Sequence, residues 1–167
     1  MHAKSHPIAP RKAVASVVLY TPEQRARRDG SAWTLVQGIL APVQFLAFFV
    51  SVILVLRYLA TDQGYMAATV SILIKTALLL TIMVTGAIWE KVVFGQYLLA
   101  PAFFWEDVVS FVVIALHLAY VAVLITGALP PAQQMILALA AYVTYAINAA
   151  QFVLKLRRAR LQSGVMA

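Results

Sequence analysis

Four long apolar runs constrain the fold of this chain more than any other feature of its sequence. They extend over residues 33–58, 66–89, 102–126 and 132–154. Each has about twenty residues or more, the length that a helix needs to cross the hydrocarbon core of a bilayer. Backbone polar groups in lipid must be hydrogen-bonded within their own segment, so these runs are predicted to be helices. The sequence therefore predicts an all-α integral membrane protein, built as a four-helix bundle.

The composition supports a membrane protein and excludes several other classes. Hydrophobic residues make up 63% of the chain and charged residues 11%, whereas soluble domains are about half apolar and a quarter charged. The mean hydropathy is +0.87. Such a chain has too little polar surface to cover a globule in water. The absence of cysteine excludes disulfides, thiol catalysis and zinc–thiolate sites.

Basic residues predict the orientation in the membrane. The net charge is +7, and most Lys and Arg residues precede the first run or follow the fourth. Of the remaining three, Lys75 lies within the second run, Lys91 beside the middle loop, and Arg57 on the opposite side. The positive-inside rule then places both termini and the middle loop in the cytoplasm. We therefore interpret the charge as a topology signal and expect no binding to nucleic acid.

The chain is predicted to hold one domain between two short tails. Residues 1–20 are predicted to be a flexible basic tail, 21–158 the four-span domain and 159–167 a short cytoplasmic tail. Within the domain, Thr21 and Gln24 have the spacing of a helix-capping box, and Pro22 suits the first helical position. A short N-terminal interfacial helix is expected there, with its arginines on the anionic membrane surface.

The acidic residues concentrate around the middle loop, at the ends of the second and third spans. Three of the six lie there, namely Glu90, Glu106 and Asp107. Antiparallel packing is expected to bring Glu90 and Glu106 close, and two carboxylates in a dry site do not both ionise easily. One of them is then equipped for general acid catalysis. The alternative is that Glu90 and Lys91 are interfacial charges and that the other two favour a helix N-terminus.

Other polar side chains are predicted to lie deep in the spans. The spacing of Glu106, Ser110 and His117 places them on one helix face, and Lys75 lies near the middle of the second span. His117 is a candidate metal ligand, including for a metal that a ligand carries, or else a hydrogen-bonding partner of a neighbouring helix. Lys75 either extends toward the interface or pairs with a ligand carboxylate. For Asn148, interhelical hydrogen bonding is the simpler role.

Residues 19–161 resemble a known family. The strongest motif is GAIWEKVVFGQY at 86–97, which continues as APAFFWED at 100–107. Shorter marks are LYTPEQR at 19–25, WTLVQG at 33–38, AAY at 140–142 and INAAQF at 147–152. This pattern is similar to that of the 3-vinyl bacteriochlorophyllide hydratases, also called chlorophyllide 3-vinyl hydratases.

The resemblance implies water addition to the C3 vinyl group of a chlorophyllide or bacteriochlorophyllide, which gives a 1-hydroxyethyl group. It implies an enzyme of bacteriochlorophyll biosynthesis in the inner, photosynthetic membrane of a bacterium, in contact with other enzymes of that biosynthesis. The substrate is a flat, apolar tetrapyrrole that carries magnesium and a propionate. The reaction requires no redox cofactor and no metal other than that of the substrate.

This chemistry leads to expected roles for individual residues. Glu106 is the first choice for the acid, with Glu90 or Asp107 as the partner that holds or accepts the proton. His117 is expected to be an axial ligand of the substrate magnesium, about 16 Å along the helix from Glu106 at 1.5 Å per residue. The other expected substrate-binding residues are Lys75 or Lys91 on the propionate, Trp89, Phe104 and Trp105 on the ring, and Gln96 and Asn148.

A second function remains open from the residues alone. A non-enzymatic pigment-binding or assembly protein of the photosynthetic membrane would account equally well for His117, the aromatic residues and the bundle. It would give no reason for a buried pair of carboxyl groups, and the resemblance favours the hydratase.

Overall fold

The apolar runs form long helices. The structure, a computed structural model, describes residues 19–165, and side chains within 19–160. In that part of the chain the elements are all helices: α1 (Pro22–Gly30), α2 (Ala32–Thr61), α3 (Tyr65–Phe94), α4 (Phe104–Thr126) and α5 (Pro131–Val165). The predicted all-α architecture is confirmed.

Helices α2 to α5 are each long and apolar enough to cross a membrane. The protein is therefore a multi-pass membrane protein. Helix α3 has 30 residues, or about 45 Å at 1.5 Å per residue, against a hydrocarbon core of about 30 Å. Its polar ends thus remain helical beyond the apolar run. Helix α5 likewise continues through 159–165, where the sequence predicted a tail, and residues 1–18 lie outside the described part of the chain.

Helix α1 begins at the predicted capping box. The Thr21 hydroxyl accepts a hydrogen bond from the Gln24 backbone N–H at 3.2 Å, and the Gln24 side chain accepts one from the Thr21 N–H at 2.9 Å. Before the cap, Tyr20 is buried and stacks on Phe94 at 5.8 Å between ring centroids. The start of α1 is thereby fixed against the end of α3.

Short turns make successive helices antiparallel. Residues 62–64 join α2 to α3, and residues 127–130 join α4 to α5. Gly127, which ends α4, has φ +64°, in the left-handed region that glycine enters without a Cβ penalty. Helix α2 packs on α3, α4 packs on α5, and α2–α5 and α3–α4 contacts join the two pairs. The result is an up-down-up-down four-helix bundle.

The core of the bundle changes character along its length. At the end with the short turns, apolar residues such as Val55, Ile72 and Met135 form the largest buried cluster. At the other end, Tyr20, Val93 and Phe103 form a smaller one, beneath the loop between α3 and α4. Most of the buried ionisable and amide groups lie between the two clusters or beside the second. The outward faces are apolar, as lipid contact requires.

Candidate active site

The loop between α3 and α4 folds over two buried carboxyl groups. Gly95 ends α3 with φ +89°, and Leu99 within the loop has φ +58°, a conformation that is uncommon for a residue with a branched side chain. This backbone directs the Leu99 N–H to the Asp107 Oδ2 at 2.7 Å and the Ala100 N–H to the Glu90 Oε2 at 3.2 Å. One strained loop therefore supplies a backbone donor to each carboxyl group.

The two carboxyl groups also meet each other. The Glu90 and Asp107 side chains lie within hydrogen-bonding reach of each other. Both are at least nine-tenths buried. An ionised carboxylate only accepts hydrogen bonds, so a hydrogen bond between two carboxyl groups requires a proton on one of them. The geometry can therefore hold one exchangeable proton between α3 and α4.

Glu106 has a different partner from the one expected. Its Oε2 accepts a hydrogen bond from the Lys155 Nζ of α5 at 2.5 Å. Glu90 instead faces Asp107, one residue further along α4. A step of one residue rotates a side chain by about 100° around a helix with 3.6 residues per turn. Neighbouring acids on α4 thus face different helices, and Glu106 is an ion-paired carboxylate rather than the partner of Glu90.

The aromatic residues divide into a buried group and an exposed group. Trp89 lies in edge contact with Phe94 and Phe103, and its Nε1–H donates to the Thr34 hydroxyl at 2.9 Å. Phe104 and Trp105 touch each other and are 41% and 69% exposed. A flat ligand could stack on these last two only from the outside of the bundle. Phe103, which the sequence did not single out, is the buried aromatic beside the carboxyl groups.

Lys91 and Gln96 lie on the outer surface of the loop. Lys91 donates to the Gly95 carbonyl at 2.8 Å, and its Nζ is 5.4 Å from the centroid of the Tyr97 ring. Gln96 donates to the Leu98 carbonyl at 3.0 Å. Both residues are exposed. Through these contacts both residues stabilise the loop.

A second polar centre lies in the middle of the bundle. The Lys75 Nζ donates to the Gln44 Oε1 at 2.6 Å and lies 3.6 Å from the centroid of the Tyr145 ring. Lys75 is fully buried. A cation at mid-membrane is costly and normally faces a partner or a cavity. Among the described residues, Lys75 has no carboxylate partner, and the Gln44 Nε2 has no acceptor.

His117 lies in the same central region with one ring nitrogen free. Its Nδ1 is 2.8 Å from the Val113 carbonyl, which can only accept a hydrogen bond, so Nδ1 carries the proton. The Nε2 therefore has a lone pair, and it has no hydrogen-bond partner among the described residues. The Tyr142 ring is 5.8 Å away between centroids. A neutral imidazole with a free Nε2 can bind a metal ion.

The face of α4 that carries Glu106 is buried along its length. Ser110 donates to the Glu106 carbonyl at 2.9 Å and accepts from the Asn148 Nδ2 of α5 at 2.7 Å. His117 follows two turns later. Glu106, Ser110 and His117 thus all face inward, as the spacing predicted. The described residues include no cluster of three His, Asp or Glu side chains that could hold a metal ion by themselves.

Comparison with known proteins identifies the family. The model of the 2-vinyl bacteriochlorophyllide hydratase family matches residues 20–158. This chain belongs to the 2-vinyl bacteriochlorophyllide hydratase family. The family name places the vinyl group at position 2, a variation in wording from the 3-vinyl name given above.

Two relatives of this hydratase family support the assignment. A 2-vinyl bacteriochlorophyllide hydratase of Rhodobacter capsulatus is 72% identical over 145 residues, which cover 87% of this chain and 84% of the relative. One of Cereibacter sphaeroides is 73% identical over 143 residues, which cover 86% of this chain and 89% of the relative. No solved structure matches this chain.

The family match includes both polar regions, and the structure adds residues to each. The added residues beside the carboxyl groups are Lys155, Phe103 and Leu99, and the added residue beside Lys75 is Tyr145. Lys155 is 49 positions from Glu106 in the sequence. Because other basic residues follow it at the end of α5, the sequence analysis interpreted it only as a signal of membrane topology. Tyr145 gave a weak signal, since an aromatic residue in an apolar helix is ordinarily a packing residue.

Proposed function

We propose that this protein hydrates the C3 vinyl group of a chlorophyllide or bacteriochlorophyllide in bacteriochlorophyll biosynthesis. The observation that carries the proposal is the membership of the chain in the 2-vinyl bacteriochlorophyllide hydratase family, with relatives of that name more than 70% identical. The protein is then a hydro-lyase. The polar groups of the bundle must supply a proton, a base and a binding site for the pigment.

The reaction adds a proton and a hydroxyl group in two steps. The terminal vinyl carbon first takes a proton from an acid, and the positive charge is left on the carbon next to the macrocycle, which delocalises it. The oxygen of a water molecule then forms a bond to that carbon, and the water loses a proton to a base. A positioned acid and a positioned base each contribute about 10²- to 10⁴-fold to such reactions.

The Glu90–Asp107 pair is the best source of the proton. The pair is buried, and a hydrogen bond within it requires one proton. When that proton leaves, the backbone N–H groups of Leu99 and Ala100 remain to stabilise the additional negative charge. This assignment differs from the first choice made from the sequence, which was Glu106.

Glu106 is better suited to be the base. It forms an ion pair with Lys155, and a carboxylate can accept a proton from the attacking water. The proton taken up by Glu106 must return to the carboxyl pair after each turnover. The acid and the base would then be regenerated in each turnover.

The central polar groups are proposed to bind the pigment. The Nε2 of His117 has no partner among the described residues. It can bind the magnesium of the pigment as an axial, fifth ligand. A propionate carboxylate would satisfy both Lys75 and the unpaired Nε2 of Gln44. His117 lies about 16 Å along α4 from Glu106, a distance that a chlorin ring and its substituents can roughly span.

The remaining expected contacts are also proposals. Trp89, Phe104 and Trp105 are proposed to contact the ring, and Lys91 and Gln96 its polar substituents, while Asn148 is proposed to lie beside the reacting vinyl group. The reaction needs no cofactor besides the substrate with its magnesium. The basic ends of the chain support an orientation with both termini in the cytoplasm, in the photosynthetic inner membrane, where other enzymes of bacteriochlorophyll biosynthesis would deliver or accept the pigment.

A pigment assay tests the proposal. The chain is expressed in a host that lacks it, supplied with 3-vinyl chlorophyllide, and the pigments are analysed by chromatography and mass. A hydratase gives a product heavier by one water, with its absorption band at shorter wavelength because conjugation is lost. Pigment that co-purifies unchanged would instead support the pigment-binding or assembly protein, and the carboxyl pair would then only stabilise the loop.

A further inference from the structure

Two buried amide oxygens on α5 lack hydrogen-bond donors. They are the Asn148 Oδ1 and the Gln151 Oε1, and neither has a partner among the residues that the structure describes. Side chains three residues apart lie on the same face of a helix. Both atoms are inaccessible to solvent, and a buried carbonyl without a donor is costly to the folded state. Two such acceptors side by side indicate a missing donor.

The orientation of the Asn148 amide is determined by its neighbours. The hydroxyl proton of Ser110 is used on the Glu106 carbonyl, so Ser110 can only accept from Asn148. The nitrogen of the amide therefore faces Ser110, and the oxygen is left as the free atom. Asn148 is 7% exposed. An apolar group in this position would not satisfy the oxygen, and a small donor is required.

The two acceptors lie close to the proposed base. Asn148, Gln151 and Lys155 follow each other at spacings of three and four residues, which places them along one face of α5. Lys155 holds the Glu106 carboxylate, and Asn148 holds Ser110 one turn further along α4. The free oxygens are thus within about a helical turn of Glu106, on the seam between α4 and α5.

We infer that Asn148 and Gln151 bind the water molecule that adds to the vinyl group, an inference that rests on the proposed hydratase function. A water molecule has two hydrogens, and it can donate both to the two amide oxygens or share one with the Glu106 carboxylate. Its oxygen lone pair is then free for attack. For the reaction one hydrogen of the water is directed to the Glu106 carboxylate. As the C–O bond forms from the lone pair, that O–H bond of the water breaks, and its proton passes to the carboxylate.

The amides act in the second step, after a proton has been transferred to the vinyl group. An experiment can therefore distinguish their role from that of the acid, which acts in the first step. Without a held water, the cation formed by protonation returns its proton and the vinyl group reforms. In D₂O this reversal leaves deuterium on the terminal vinyl carbon of the recovered substrate. Loss of the acid prevents both hydration and this exchange, whereas loss of the water site prevents hydration alone.

The test uses the full chain in detergent or membranes with 3-vinyl chlorophyllide in D₂O. Asn148→Leu and Gln151→Met replace each amide by an apolar side chain of similar size. We expect hydration to fall about 10²-fold, the loss that a misplaced reactant causes, while deuterium still enters the vinyl group. Gln151→Glu keeps an acceptor oxygen and is expected to retain most of the hydration rate.

Gln134→Leu is the matched control. Gln134 is another buried amide of α5, but it bonds to Tyr65 and the Leu129 carbonyl near the opposite end of the bundle. Its loss should leave hydration within about threefold, since the carboxyl groups and the two proposed water-binding amides are untouched. Retained pigment binding and an unchanged elution profile identify the variants that are folded.

Each outcome decides the inference. Lost hydration with continued exchange supports it. Unchanged hydration in Asn148→Leu and Gln151→Met overturns it, and so does the loss of both hydration and exchange in folded variants, because the amides would then act at the protonation step. Wild-type protein that neither hydrates nor exchanges the vinyl group would contradict the proposed hydratase itself, which is a separate failure.

Discussion

The loop end and the centre of the bundle handle buried charge in different ways. At the loop end, Glu90 and Asp107 have backbone donors and each other, and Glu106 has Lys155. At the centre, among the residues that the structure describes, Lys75 contacts only an amide oxygen and a tyrosine ring as polar partners, and the Nε2 of His117 has no partner. The carboxyl groups of the first region all have partners within the chain, whereas the second has a ring nitrogen and an amide nitrogen that a ligand could bind. The difference supports chemistry at the loop end and pigment binding at the centre.

The largest effect that distinguishes the two regions is expected from Glu106→Gln. This change removes the proposed base while it keeps the shape of the side chain and an oxygen for Lys155. The turnover rate is expected to fall about 10²- to 10⁴-fold, with pigment affinity little changed, as measured by product formation and by pigment titration. Glu23→Gln, at an exposed acid of α1, is the matched control. Full hydration by Glu106→Gln would remove this residue from the mechanism.

The next effect concerns the centre. His117→Ala removes the proposed magnesium ligand, and pigment affinity is expected to weaken about ten- to hundred-fold, which corresponds to about 1.4 to 2.8 kcal/mol of lost interaction. Turnover at saturating pigment should change little, since the loop end is intact. Added imidazole should restore part of the affinity and the absorption shift of the bound pigment. An unaltered spectrum and affinity in His117→Ala would exclude axial ligation by this residue.

A smaller effect tests the loop backbone. Leu99 has φ +58° and donates its N–H to Asp107. Leu99→Gly keeps that N–H and removes the steric strain of the left-handed conformation, so activity should be retained. Leu99→Val places a β-branched residue in a conformation that such residues rarely adopt, so this variant is expected to be less stable than Leu99→Gly by about 1 to 2 kcal/mol. Hydration rates and thermal unfolding of the two variants provide the comparison; equal behaviour would mean that the loop conformation is unimportant.

The smallest effect is expected on the stability of the pigment-free protein. In the double variant Lys75→Met with Gln44→Leu, an apolar pair replaces a buried cation and its amide partner. Such replacements are often neutral or stabilising, so we expect the unfolding midpoint to rise by about 2 to 4 °C per kcal/mol gained, while pigment affinity falls. A clear loss of pigment-free stability would mean that Lys75 and Gln44 are needed to hold the bundle together.

The sequence predicts the fold well because the deciding signals are local. Apolar length gives the spans, and the capping box at Thr21 gives the start of α1, as the structure confirms. The predicted helix ends differ from the observed ones by several residues, because polar turns beyond the apolar runs, such as the last turn of α3, are still helical. These features depend on neighbouring residues or on residues within one turn, and no distant contact is needed to infer them.

The site is less predictable because its pairs join distant residues. Sequence analysis found the acidic cluster and the inward face of α4 but expected Glu90 to face Glu106. Which of two adjacent acids faces α3 depends on the rotation of α4, and apolar spans give little information on rotation. The ion pair of Lys155 with Glu106 joins α4 to α5, and only the packing of the bundle shows it.

A single-turnover experiment with Glu90→Gln tests the central claim most directly. Wild-type protein and Glu90→Gln are first equilibrated in D₂O, then mixed with 3-vinyl chlorophyllide and sampled over time by mass. The account predicts that wild type forms a hydrated product with one deuterium in the new methyl group. It predicts that Glu90→Gln binds the pigment yet forms the product about 10²- to 10⁴-fold more slowly, without deuterium in the vinyl group. Hydration by Glu90→Gln at the wild-type rate would contradict the claim that the carboxyl pair under the α3–α4 loop supplies the proton.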